Sequence, residues 1–113
     1  MIHSNLGALK LYRALGFEHR RDLLCWRLDH VPRRSVPGLV IDCADRPRML
    51  GFDLERDGAP LWERPPSWQN SIASIHRLSE AATTLIARVD QRAVGYAVVL
   101  RRGNLLQLAV APA

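Results

Sequence analysis

T-T-L-I-A-R-V-D-Q-R-A-V-G-Y-A-V-V-L-R-R-G-N-L-L-Q-L-A-V, residues 83–110, is the stretch whose reading decides the fold. Leu85, Ala87 and Val89 alternate with Thr84, Ile86 and Arg88, the period-two pattern of a half-buried strand. Asp90, Gln91 and Arg92 turn the chain. Residues 93–100, A-V-G-Y-A-V-V-L, are a continuous apolar run that predicts a strand covered on both faces. R-R-G-N at 101–104 is a hairpin turn, and residues 105–110 are a third strand. Connections this short join sequence neighbours, so three consecutive antiparallel strands are expected.

Working upstream, Ser67 is a natural N-cap for a helix over 67–78 with Trp68, Ile72, Ile75 and Ser79 along one face. That helix is expected to pack on one face of the sheet, with His76 at its surface. Residues 62–66 are a proline-rich lead into it. A second helix over 45–56 uses Met49, Leu50, Phe52 and Leu54, weakened by Gly51 and ended by Asp57-Gly58. Residues 39–44 read as a short strand. Residues 29–38 hold two prolines, a glycine and adjacent arginines, the composition of a linker, and divide the chain into 1–31 and 32–113. In 17–28, Leu24, Trp26 and Leu28 alternate with Cys25 and Arg27, which predicts a strand or bulged hairpin joining the same sheet. The fold class is α/β of the α+β kind, a mixed, mostly antiparallel sheet flanked by helices.

Composition places the chain among globular proteins: 113 residues, 48% hydrophobic and 24% charged. No run approaches the ~20 apolar residues that span a bilayer, and the N-terminus lacks a signal-peptide pattern. A cytoplasmic location is expected, with no membrane partner. The net charge of +5 raises nucleic-acid binding. The arginines, however, fall in scattered pairs with no nucleic-acid-binding motif beside them, so no nucleic-acid partner is expected. Cys25 and Cys43 are isolated thiols without metal-ligand spacing, so no metal is expected.

The first third carries the chemistry. In N-L-G-A-L-K-L-Y-R-A-L-G-F, residues 5–17, Ala8, Leu11 and Leu15 fall on one helical stripe with Tyr12 beside Leu11. Ser4 or Asn5 can cap the start, Gly16 suits the left-handed stop, and Phe17 can fold back onto Tyr12. The plainest account is a short amphipathic helix whose tyrosine packs in the core.

The fuller pattern N-x-x-A-x-x-L-Y-x-x-x-G-F, followed by E-H-R-R-D-L-L-C-W-R-L, resembles the last helix and closing strands of the GNAT superfamily of N-acetyltransferases. The resemblance implies transfer of an acetyl group from acetyl-CoA to a primary amine, on a small molecule or a peptide. It implies that Asn5 contacts the pantetheine arm and that Tyr12 donates a proton to the departing thiolate. Further along, P-S-W-Q-N-S-I, L-I-A-R-V-D-Q-R-A-V-G-Y-A-V-V and L-L-Q-L-A-V-A-P resemble the opening half of the same domain. By position, the backbone of Leu108, Ala109 and Val110 would then pair with the pantetheine arm.

Two features depart from the family pattern. The glycines, at 7, 16, 38, 51, 58, 95 and 103, make no phosphate-cradling R/Q-x-x-G-x-G/A loop. The tail motif also precedes the head motif. The expectation is an incomplete acyl-CoA N-acyltransferase fold: residues 1–31 close one acetyltransferase domain, and 32–113 open the next. Such a fragment would bind acetyl-CoA weakly and turn nothing over. Nothing singles out Glu63 or Glu80 as a general base. The alternative function is a non-catalytic acetyltransferase-like module for binding or dimerisation, in which an open sheet edge pairs with a second copy.

Overall fold

Four strands form one antiparallel sheet: β1 (Leu39–Ala44), β2 (Ala82–Val89), β3 (Arg92–Leu100) and β4 (Leu105–Val110), paired in that order. The structure, a computed structural model, describes residues 4–78 and 82–112. Ser79, expected on the face of the 67–78 helix, and Glu80 lie outside them. The protein is of α+β class, as expected from residues 83–110. The chain divides into two compact units, Met1–Val31 and Pro32–Ala113, and all four strands come from the second.

The register follows from the turns. Asp90 and Gln91 both take left-handed backbone, φ 48° and 65°, the two-residue connection whose twist matches its strands. It sets Ile86 opposite Tyr96, and Tyr96 lies opposite Ala109 across β3 and β4. Ile86, Thr84, Val98, Tyr96, Gln107 and Ala109 share the inner face, where Phe52, Leu54 and Ile75 close the core. Arg88 ties the sheet to its cover: Nε donates to Asp42 Oδ2 at 3.2 Å and Nη2 to the Leu50 carbonyl at 2.9 Å.

The other face departs from the expectation of a β3 covered on both sides. Ala97 and Val99 are only half-buried, while Ile41, Leu108 and Val110 on the flanking strands are more than half exposed. An apolar run marks residues able to be buried. Coverage itself needs a second layer.

Both expected helices of the second unit are broken, for local reasons. Residues 45–56 give a 3-10 turn, Pro47–Leu50, stopped by Gly51 at φ 66°, and then a wide π turn, Leu54–Gly58. Asp53 between them is extended, and its side chain accepts the N–H groups of Glu55 and Arg56, restarting the backbone. Residues 67–78 behave alike. A 3-10 turn, Trp68–Asn70, ends at extended Ser71, whose Oγ accepts the Ser74 N–H at 3.2 Å and caps α2 (Ile72–Arg77). Ser71, not Ser67, is therefore the side-chain cap. Ile75 is buried as expected, whereas Trp68 is 80% exposed.

In the first unit, α1 (Leu6–Ala14) is capped by Asn5, whose Oδ1 accepts the Ala8 N–H at 3.1 Å. At its far end the Phe17 N–H reaches the Tyr12 carbonyl at 3.0 Å, and the Gly16 N–H reaches that of Arg13 at 3.0 Å. This pair of bonds, with Gly16 at φ 87°, is the Schellman stop. The strand expected over 17–28 does not form, and these residues are not part of the sheet. Trp26 is 87% exposed, and His19 bonds Asp22 and Arg27 bonds Asp29, both within a few residues along the chain. Alternation without a partner ladder makes no strand. Among the described residues, no helix is long and apolar enough to cross a membrane.

Candidate functional site

Asn5 and Tyr12 stand on one helix, seven residues and ~10 Å apart along its axis. Each already has a local task. Asn5 spends its carbonyl oxygen on the cap, leaving its amide N–H groups as donors. Tyr12 lies third from the end of α1, and its ring meets Phe17 edge-on at 5.5 Å, the apolar contact that accompanies such a stop. That contact uses the ring alone. The hydroxyl makes no hydrogen bond among the described residues, and Tyr12 is 43% exposed. The expected core tyrosine is thus half-open instead.

Leu108, Ala109 and Val110 belong to β4, at an edge of the sheet in the other unit. The Ala111 N–H bonds the Val94 carbonyl at 2.7 Å. In an antiparallel pair every second residue directs both main-chain groups the same way. Ala109 and Gln107 therefore face β3, while Leu108 and Val110 turn theirs to the open edge. Of the three residues read as main-chain ligands, Ala109 has its groups committed to the ladder. Leu108 and Val110 keep theirs available.

Behind that edge runs a chain of buried polar groups not anticipated from sequence. Trp62 Nε1 donates to Tyr96 Oη at 2.5 Å, Tyr96 Oη donates to Gln107 Oε1 at 2.6 Å, and Gln107 Nε2 donates to the Asn70 carbonyl at 2.6 Å. Burial pushes the Tyr96 hydroxyl pKa up, against the opposing pull of the Trp62 N–H. The group is a neutral structural link. Gln107 is the sole polar residue of β4, and an inward glutamine among apolar neighbours was the available signal.

The second unit also holds a cavity of about 290 Å³ between the Pro47–Leu50 turn, α2 and the start of β2. His76 lines it, as do Arg46, Arg48 and Thr84. Among the described residues, no cluster of three or more His, Cys, Asp or Glu side chains is placed to hold a metal, and Cys25 and Cys43 are exposed free thiols. The chain matches no family model, no curated protein and no solved structure.

Proposed function

We propose that the protein is an N-acetyltransferase that moves an acetyl group from acetyl-CoA to a primary amine. The observation that carries this reading is α1, which presents Asn5 amide donors at its start and, near its end, a Tyr12 hydroxyl that makes no hydrogen bond among the described residues. The neutral amine nitrogen attacks the thioester carbonyl and forms the C–N bond, the C–S bond breaks, Tyr12 gives its proton to the leaving thiolate, and the proton released by the amine nitrogen passes to solvent water, from which Tyr12 is reprotonated. Within the first unit, the Asn5 amide donors would hold the pantetheine arm; within the second, taken by itself, the open main-chain groups of Leu108 and Val110 are the corresponding feature. The acceptor is a small-molecule or peptide amine, and a cytoplasmic setting goes with this cosubstrate.

The test is thiol release from acetyl-CoA across a panel of primary amines, with Tyr12→Phe alongside. In a complete parent enzyme, loss of the hydroxyl should lower kcat about 10²–10⁴-fold, whereas this chain by itself, without a phosphate-cradling loop, should release no measurable thiol. Acetyl-CoA binding should stay nearly unchanged and α1 intact, because the ring contact with Phe17 remains. Wild-type turnover in the variant would make Tyr12 a packing residue only. Since no glycine-rich loop cradles the pyrophosphate, calorimetry should give a dissociation constant well above micromolar.

A second reading is a non-catalytic acetyltransferase-like module that dimerises. The open β4 edge beside exposed Leu108 and Val110 favours it. It predicts a concentration-dependent dimer in sedimentation and no thiol release with any acceptor.

A further inference from the structure

The cavity beneath the Pro47–Leu50 turn plays no part in that chemistry. Its floor is apolar: Phe52, Leu54, Ile75 and Ala82 line it and belong to the buried core. Thr84 reaches the same space and is only 1% exposed, yet its side chain makes no hydrogen bond among the described residues. No buried side-chain oxygen of the described structure is both sealed and unpartnered. The Thr84 hydroxyl therefore opens onto the cavity, a donor and acceptor held in an apolar wall.

The rim has the opposite character. Arg46 and Arg48 flank Pro47 at the start of the turn, both exposed and neither in an ion pair among the described residues. Asp53 also lines the cavity, but its Oδ1 accepts the Glu55 and Arg56 N–H groups at 2.9 and 2.8 Å, so it serves the turn rather than the rim. Asp45 and His76 complete the polar lining. A guanidinium fork matches a carboxylate in two parallel hydrogen bonds. The acids Asp45 and Asp53 disfavour a dianion, and the apolar floor offers the oxygens of a phosphate group no polar partner beyond the Thr84 hydroxyl. The volume lies at the lower end of ligand pockets, ~300–1,000 Å³, a size for a small acid rather than a nucleotide.

We propose that this cavity binds a small aliphatic monocarboxylate, its hydrocarbon body on Phe52, Leu54 and Ile75 and its carboxylate at Arg46 and Arg48. Thr84 gives the ligand one hydrogen bond from the wall. This site stands independently of acetyl transfer, and either can fail without the other.

The test titrates the full chain with 4-methylpentanoate and, separately, with 4-methylpentanamide, which has the same body without the charge. Calorimetry reads affinity and amide-resolved NMR reads location. The acid should bind about tenfold or more tighter than the amide, with saturable shifts centred on Ile75, His76 and Thr84. Arg46→Gln with Arg48→Gln, at exposed positions that the core does not need, should abolish the preference and leave the thermal midpoint unchanged. Thr84→Val, which keeps the shape, should weaken both ligands. Equal binding of acid and amide would overturn the proposal. So would shifts centred elsewhere, no saturable shift with either compound, or an acid preference that survives the double substitution.

Discussion

Replacing Tyr96 by Phe removes one oxygen and leaves two partners, the half-buried Trp62 N–H and the buried Gln107 Oε1, without it. Stranded polar groups of this kind cost about 1–3 kcal/mol, so urea unfolding of Tyr96→Phe should show that loss although the ring still packs on Phe52. Asp57 gives a residue-scale prediction in pH. The Arg56 guanidinium first, then the Asp53 N–H, hold its carboxyl down to about 2, from an ordinary 3.8. A depressed folded-state pKa means that the ionised group supports the fold above the ordinary value, and that this support drains away as pH falls toward the folded one. Unfolding curves between about pH 4 and 2 should therefore weaken with acid, and Asp57→Asn should flatten that part of the dependence. A flat wild-type profile there would mean that the Arg56 pair contributes nothing.

Among the elements, the β2–β3 turn stores strain. Gln91 holds a left-handed backbone at φ 65°, which costs a residue with a Cβ about 1–2 kcal/mol. Glycine avoids that but loses ~0.5–1 kcal/mol of chain entropy. Gln91→Gly, making Asp-Gly, should thus stabilise the protein by roughly 0.5 kcal/mol, read as a raised urea midpoint. The strands were legible in the sequence because alternation and short turns act together in 83–110 and leave one pairing order. The helices were half legible. Their periodicity marked Phe52, Leu54 and Ile75, which are buried, but also Met49 and Trp68, which are exposed, because Asp53 and Ser71 bond nearby N–H groups and restart the backbone where periodicity sees continuity. Residues 17–28 show the converse, an alternating pattern with no ladder to join.

For the whole molecule, the unit Pro32–Ala113 contains every described strand and the described core. Expressed alone it should unfold cooperatively, with the same urea midpoint as the full chain; a broad or absent transition would show that residues 1–31 are needed. Of the candidate sites, α1 was legible because cap, tyrosine and glycine stop lie within one short stretch. The cavity was not, because Arg46, Phe52, Ile75 and Thr84 meet only after the sheet has formed, with no spacing to announce them. Gln107 has a consequence beyond its hydrogen bonds. L-L-Q-L-A-V offers a neighbouring strand nearly the same greasy surface whichever set of side chains turns inward, so oiliness alone gives β4 little reason to choose. A slip of one residue would seal the Tyr96 phenol against a leucine and send the glutamine into water. The polar residue that appears out of place is thus what tells the correct alignment from its nearest impostor.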